Sequence, residues 1–199
     1  MRQLAQRSAA IAFTSTSGAG LLRLSSSRTP TWSTPDLCDD HVSSAKANAC
    51  EVRIVPGNFY FRDFGLHKAF CGPIVTVQCF EDNSKVKDLC GTPGEGRVLV
   101  VDGEGSMRKA LLGDQIAAKA AKNGWAGLLI NGCVRDVEAL AETPLGIKAL
   151  GAVPLKTEKL GRGVADVEVA FASTIFRPKE WVYCDGTGII VASRDLRAR

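Results

Sequence analysis

Residues 98–136, VLVVDGEGSMRKALLGDQIAAKAAKNGWAGLLINGCVRD, decide the fold. Val98-Leu99-Val100-Val101 is short, apolar and β-branched, which reads as a buried strand. From Asp114 to Asn123, the small apolar residues Ile116, Ala117, Ala120 and Ala121 fall on one stripe, with Lys119 and Lys122 opposite. That pattern predicts an amphipathic helix with Asp114 at its N-cap. Leu128-Leu129-Ile130 reads as a second strand, parallel to the first because a helix crosses over between them. In such a βαβ unit the helix N-terminus and the C-terminal ends of both strands share one side of the sheet. Asp114 therefore starts the helix where Gly132-Cys133-Val134-Arg135-Asp136 is expected to leave the second strand. Two carboxylates and a guanidinium converge on helix-terminal N–H groups, in the crevice where open α/β sheets bind ligands. The pattern suits a divalent cation and a small carboxylate. Gly103, Gly105, Gly113 and Gly132 crowd the same edge, where missing side chains let a ligand approach the backbone. The plain alternative is structural: an Asp at a helix start is most often only a cap.

Outward from this unit, 199 residues with 45% hydrophobic content can bury one good core. No stretch approaches the roughly 18 consecutive apolar residues of a membrane span. The net charge of +4 is uneven. Residues 1–35 hold Arg2, Arg7, Arg23 and Arg28 and no acid, so the remainder is neutral. A neutral body without basic–aromatic blocks argues against direct nucleic-acid binding. The first 35 residues are rich in Arg and Ser, as in Ser25-Ser26-Ser27, and suit a mitochondrial-type transit peptide. A disordered tail on a cytoplasmic protein is the alternative, and in both cases residues 1–35 stand outside the core.

Within 36–199 we expect one α/β domain. A first helix is predicted over Asp36–Ala47, capped by Thr34 or Asp36, and Val52–Val55 and Phe59–Phe61 flank a Pro56-Gly57-Asn58 turn. Ile74–Phe80 alternates as a strand, and Asn83–Cys90 reads as a short helix. Beyond the βαβ unit, a brief helix over Asp136–Ala141 precedes strands at Lys148–Val153, Val167–Phe171, Trp181–Tyr183 and Gly188–Ala192. The seven cysteines form no C-x-x-C pair, so neither a disulfide framework nor a structural zinc site is expected. With only His41 and His67 in the chain, a Cys133–His nucleophilic pair has no support. Asp102-Gly103-Glu104-Gly105-Ser106 follows a strand but lacks both nucleotide-loop glycine patterns, and reads as a tight turn.

Five segments together carry a family resemblance: STPDLCDD (33–40), GPIVTVQCFEDNSKVKDL (72–89), GRVLVVDGEGSMRKALLGDQIA (96–117), NGWAGLLINGCVRDVEAL (123–140) and GTGIIVA (186–192). From Ser33 to Ala192 the chain resembles the regulator of ribonuclease activity A family, which also holds the class II 4-hydroxy-4-methyl-2-oxoglutarate aldolases. The resemblance implies a layered β/β/α fold, similar to swivelling phosphohistidine domains, assembled as a homotrimer or a hexamer built as a dimer of trimers. Aldolase members carry an Asp, twenty residues, then Arg-Asp, and Asp114, Arg135 and Asp136 match that pattern. The ribonuclease-regulating bacterial members replace the second Asp, so Asp136 favours the enzyme. By this resemblance Asp136 would bind Mg²⁺ or Mn²⁺ directly and Asp114 would hold a water on that metal. Arg135 would contact the keto oxygen of a pyruvate-like substrate, and the N–H groups of Gly113, Asp114, Gln115 and Ile116 would cradle its carboxylate. Some aldolase members add a Glu from the C-terminal extension of a neighbouring subunit. After Ala192 this sequence reads Ser-Arg-Asp-Leu-Arg-Ala-Arg, with no matching Glu.

The chemistry agrees with that division of roles. Retro-aldol cleavage of a 4-hydroxy-2-oxo acid leaves the enolate of pyruvate, whose charge needs an electrophile. Few carboxylates suit a hard cation that keeps most of its water. Oxaloacetate decarboxylation passes through the same enolate and is expected as a side activity. A Schiff-base aldolase would need a buried lysine, and Lys109, Lys119 and Lys122 read as solvated. Two other functions stand beside the lyase. One is a non-enzymatic regulator that restrains a ribonuclease or helicase through protein contacts. The other is a methyltransferase, disfavoured by the missing glycine pattern.

Overall fold

The computed structural model describes residues 30–42, 52–56 and 60–198. The expected transit segment up to residue 29, the predicted helical residues 43–47, turn residues 57–58 and residue 59 of the predicted Phe59–Phe61 segment lie outside them. Helix α1 spans Thr34–His41, and its cap is Ser33, one residue before Thr34 and three before Asp36, the two predicted caps. Ser33 Oγ accepts from the Asp36 N–H at 3.2 Å, while Pro35 occupies the first turn, where a missing N–H costs nothing. Trp32 packs edge-on against Tyr183, so the folded body starts before residue 36.

Strands β1 (Val52–Ile54), β2 (Arg62–Asp63) and β3 (Phe70–Gln78) are followed by α2 (Ser84–Cys90) and β4 (Val98–Asp102). Then come β5 (Ala110–Leu112), α3 (Asp114–Lys122), β6 (Gly127–Val134), α4 (Val137–Glu142) and β7 (Gly146–Ala152). The chain closes with β8 (Val164–Ala165), β9 (Val169–Phe171), β10 (Thr174–Phe176), β11 (Trp181–Cys184) and β12 (Ile189–Ala192). The main sheet runs β1-β12-β11-β3-β4-β6-β7-β2. Its centre, β3-β4-β6-β7, is parallel, and β4 is buried at all five positions, as a strand covered on both faces must be.

The layers follow from which side chains each face buries. On one face Leu99, Val101, Leu128 and Ile130 meet Ala117 and Ala120 of α3, Val86 of α2 and Leu140 of α4. On the other, Val98, Val100 and Leu129 meet Val182, Ile189 and Val191 of the antiparallel strands and the stacked rings of Phe171 and Phe176. The antiparallel arm thus folds over the parallel sheet, giving the layered β/β/α arrangement that was expected.

Three details differ from expectation. Strand β5 separates β4 from α3 and pairs with β6, so the βαβ unit carries an extra short strand. Strand β6 continues through Gly132-Cys133-Val134, so only Arg135 and Asp136 leave it. The late segment forms a β9–β10 hairpin in place of a single strand over Val167–Phe171. Short elements of this kind are stabilised by their non-local neighbours, so local propensity does not reveal them.

Asp185 ties α1 to the antiparallel arm. Its Oδ2 accepts from the Thr34 N–H at 2.6 Å, and its Oδ1 from the Thr34 hydroxyl at 2.8 Å and the Thr187 and Gly188 N–H groups. Burial alone would raise its pKa, but these hydrogen bonds hold the carboxyl below the usual carboxylate value of 3.8. A depressed folded pKa means the tie is fully present above about pH 4 and is lost as pH falls through the depressed value. Urea unfolding should show stability falling as pH drops below about 4. Asp185→Asn should flatten part of that fall and cost about 1–3 kcal/mol at pH 7.

Gly72 of β3 lies where a Cβ would stand 2.1 Å from the Gly96 carbonyl oxygen, and neither backbone segment can yield. Gly72→Ala is expected to cost about 3 kcal/mol, lowering the melting temperature by about 6–12 °C.

Candidate active site

Helix α3 begins at Asp114, but its cap residue is Gly113, which makes no side-chain capping bond. Asp114 therefore sits in the first turn and is not the predicted N-cap. Its side chain is released from capping, and the helix N-terminus stays open. Ala117 is the first residue of α3 whose N–H closes a helical bond, to Gly113 O at 3.1 Å. The Gln115 and Ile116 N–H groups precede that bond and remain donors at the positive end of the helix.

Arg135 and Asp136 arrive from β6. Arg135 N–H donates to Leu112 O at 2.9 Å, which locks the strand exit to β5. Asp136 then takes up left-handed backbone (φ 57°, ψ 45°), a conformation that carries strain in a residue with a Cβ. It stands at the N-cap of α4 yet makes no side-chain cap there. Instead its carboxylate turns to the N-terminus of α3. Asp136 Oδ2 lies 3.4 Å from the Asp114 N–H and 3.2 Å from Arg135 Nε. Gly113 is what permits this approach, since a Cβ there would meet Asp136 Oδ2 at 2.7 Å and Arg135 Nε at 3.0 Å. The Arg135 and Asp136 side chains are 34% and 37% exposed, so their ion pair contributes little to stability. The strain, the unused cap and the weak pair make sense as a binding arrangement.

The cleft beside this group has a volume of about 70 Å³. Gly113, Asp114, Gln115, Ile116 and Arg135 line it, so the structure brings those predicted residues together. Asp136 sits next to it through its contacts with Asp114 and Arg135. The facing wall comes from Asn83, Ala110, Lys156, Thr157 and Lys159, which sequence reasoning missed. Asn83 read only as a helix start, and 156–159 fell in an unassigned loop. Asp82 pins that loop. Its Oδ1 accepts from the Ser84 N–H at 2.7 Å and its Oδ2 from the Leu160 and Arg162 N–H groups at 2.7 and 3.3 Å. Arg135, Lys156 and Lys159 outnumber Asp114 on the walls, which favours an anionic ligand.

Among the described residues no three His, Cys, Asp or Glu side chains gather into a metal cage. Asp136 Oδ2 lies beside the Asp114 N–H and Asp114 lines the cleft, so two carboxylate-bearing residues meet at one corner. That donor set does not fit structural zinc but fits a cation of the Mg²⁺ or Mn²⁺ kind, which accepts one or two carboxylates and keeps several waters.

The lysines and cysteines differ in their standing. Lys119 and Lys122 are exposed as expected. Lys109 is not fully solvated, lying 3.9 Å from Glu81 and 3.8 Å from Glu158. A buried lysine does exist: Lys148, 1% exposed, lies 2.9 Å from Asp63 Oδ1. It is absent from the cleft lining, and only the β2–β7 register puts it opposite that acid. Cys133 is buried against the Met107 sulfur at 3.4 Å, and burial raises its thiol pKa. Burial likewise pushes Cys71 up to about 11 and Cys79 and Cys90 up to about 12. Neither histidine lines the cleft.

Fold and cleft together define a layered α/β protein with a carboxylate–guanidinium site at a helix N-terminus. The chain belongs to the RraA-like family (Aldolase/RraA), whose model matches residues 34–191. A Xanthomonas campestris pv. campestris relative named "Putative 4-hydroxy-4-methyl-2-oxoglutarate aldolase" is 53% identical over 166 residues, covering 83% of this chain and 94% of that protein. Among solved structures, a Geobacillus kaustophilus protein described as an S-adenosylmethionine:2-dimethylmenaquinone methyltransferase superposes with a TM-score of 0.78 at 40% identity, covering 84% of this chain and 99% of that one. The RNA-processing inhibitor RraA from "Thermus thermophilis" superposes with a TM-score of 0.75 at 36% identity, covering 82% and 93%.

Proposed function

We propose that the protein is a divalent-metal-dependent aldolase. It cleaves 4-hydroxy-2-oxo acids of the 4-hydroxy-4-methyl-2-oxoglutarate type to pyruvate, with oxaloacetate decarboxylation as a side activity. The observation that carries this reading is the Asp136 carboxylate, turned away from its own helix and held against Asp114 and Arg135. The aldolase-named relatives support it.

Asp136 would hold Mg²⁺ or Mn²⁺ directly and Asp114 would hold a water on it; when bound, the cation would supply Lewis-acid polarisation of the 2-oxo group. The Gln115 and Ile116 N–H groups receive the substrate's C1 carboxylate at the helix end. Arg135 stands where the 2-oxo oxygen gains charge and offsets it with a fixed guanidinium. As the C3–C4 bond breaks, its electron pair moves into the pyruvate enolate and the 4-hydroxyl loses its proton. The Asp114 carboxylate holds the water that takes this proton, and protonation at C3 completes pyruvate. Lys156 and Lys159 on the rim suit a substrate with a second carboxylate. Among the described residues the amines lining the cleft, Lys156 and Lys159, are exposed, which does not suit a lysine-imine route. We also propose the homotrimer or hexamer as the working assembly, to be read from the mass in solution.

Pyruvate release from a 4-hydroxy-2-oxo acid, followed with a coupled assay, should require added Mg²⁺ or Mn²⁺ and vanish in EDTA. Full activity in EDTA would sink the reading. The likeness to the RNA-processing inhibitor favours a second reading, a regulator acting on a ribonuclease or helicase through protein contacts. Capture of such a partner that survives Asp136→Ala, with no pyruvate release, would decide for it. Methyl transfer has less support. The Gly103 and Gly105 N–H groups are both spent on Asn131 O, so that loop offers no free cradle for a nucleotide.

A further inference from the structure

Asp82 is 1% exposed, the deepest carboxyl among the described residues, and both of its oxygens accept from backbone N–H groups. Burial alone would raise its pKa, but these hydrogen bonds keep the carboxyl below its usual 3.8. It is therefore charged at neutral pH, and charge-assisted bonds of this kind are about twice as strong as neutral ones. A turn before a short helix needs only Oδ1, on the Ser84 N–H. Oδ2 is committed to a loop that begins its contact 78 residues further on, at Leu160.

That loop carries Lys156 and Lys159, which line the cleft. It is fastened at two points. At one end Leu155 O accepts from the Ala110 N–H at 2.8 Å. At the other Asp82 grips Leu160 and Arg162, and the Gly161 N–H donates to Ser84 Oγ at 3.1 Å. Glu158 lies between the two lysines in the chain but is absent from the cleft lining, and its carboxylate is 3.8 Å from Lys109 Nζ. Asn83, next to Asp82, donates from Nδ2 to Leu111 O at 3.1 Å and so fastens the start of α2 to β5, the strand that leads into Gly113 and α3. Asp82 and Asn83 thus hold the lysine-bearing wall to the wall that carries the α3 N-terminus. Lys156 and Lys159 are long and exposed, so without a fixed backbone beneath them their charges would spread over many positions.

We infer that Asp82 is a positioning residue, which holds the Lys156–Lys159 loop at the cleft and thereby sets the selection for 2-oxo acids that bear a second carboxylate. The inference rests on the proposed cleft for 2-oxo acids. With the C1 carboxylate at the α3 N-terminus, a five-carbon diacid has its other carboxylate left for the lysine wall. Asp82 itself touches no substrate and acts through the two lysines. Exposed ion pairs are weak, so the two together should favour the second carboxylate by about fivefold.

Equilibrium titration of the full chain in buffer with Mg²⁺ tests this, using 2-oxoglutarate and 2-oxopentanoate, which have the same chain length and differ in the C5 carboxylate. Neither has a 4-hydroxyl, so neither is cleaved. The unsubstituted protein should prefer 2-oxoglutarate by about fivefold. Asp82→Ala should erase that preference and leave the affinity for 2-oxopentanoate unchanged. Lys156→Met with Lys159→Met should erase it too, and adding Asp82→Ala to that pair should have no further effect on it. In turnover, KM for the 4-hydroxy-2-oxo diacid should rise about fivefold in Asp82→Ala, with kcat changed by less than about twofold. Should Asp82→Ala fail to fold, Asp82→Ser carries the same test, since a serine hydroxyl can keep the turn bond to Ser84 without reaching the loop. No preference in the unsubstituted protein, a preference that survives in the Asp82 variants, or an equal loss of affinity for both acids would overturn the inference. The last of these, with a lowered melting temperature, is what a merely structural clamp predicts. Loss of the preference in Asp82→Ala, in a protein that releases no pyruvate from any 4-hydroxy-2-oxo acid, would fault the aldolase reading and leave the positioning role standing.

Discussion

Arg135→Ala is expected to lower kcat/KM for pyruvate release by about 10²–10³-fold, the usual consequence of removing a fixed donor from a site of developing negative charge. The effect should appear mainly in kcat, because the guanidinium matters most when the 2-oxo oxygen becomes an enolate oxygen. Stability should hardly change. The side chain is one-third exposed, and the strand exit is held by the Arg135 backbone N–H on Leu112 O, which survives the substitution. Asp136→Ala should lose activity at least as severely and should also weaken the response to added Mg²⁺. A lysine at 135 restores charge without the planar fork and is expected to rescue only a small part. Steady-state kinetics with a melting curve for each variant would check these outcomes. Near-normal turnover in Arg135→Ala would remove this residue from the chemistry.

Gly113→Ala is expected to cost about 100-fold in kcat/KM without touching any polar group directly. The added Cβ would stand 2.7 Å from Asp136 Oδ2, 3.0 Å from Arg135 Nε and 3.3 Å from Arg135 Cγ. Backbone strain is not the reason, because φ −137° and ψ −178° at Gly113 suit any residue. The atoms in the way are the ends of two flexible side chains, so the fold can yield cheaply. They yield by moving the carboxylate and the guanidinium off their places, which is where the loss arises. A melting temperature within a few degrees of the parent, together with this loss, is the expected signature. An alanine variant of undiminished activity would show that the approach of Asp136 to α3 carries no function.

The βαβ unit was legible because its signals are local. A β-branched run, a 3.6-residue stripe and a second apolar run state their periods within forty residues. Once a parallel crossover was accepted, chain geometry alone put Asp114 at the end of the sheet where Arg135 and Asp136 emerge. Finer placement was less legible. Asp114 looks like a cap by residue type, and only the extended Gly113 shows that the cap falls one residue earlier, with Asp114 already in the first turn. The release of the Asp136 carboxylate toward α3 depends on left-handed backbone that no pattern announces.

The sequence by itself determined the family, the parallel core, the neutral body and the carboxylate–guanidinium corner, because each rests on short-range periodicity or on a contiguous motif. Only the tertiary structure decided the opposite wall. Asn83 and Thr157 are 74 residues apart in the chain (157 − 83) and reach one cleft because Asp82 clamps the 156–162 loop onto the start of α2. Lys148 met Asp63 through the β2–β7 register in the same way. Such pairings depend on which distant strands and loops come to lie together, and that choice is made by the packing of the whole core.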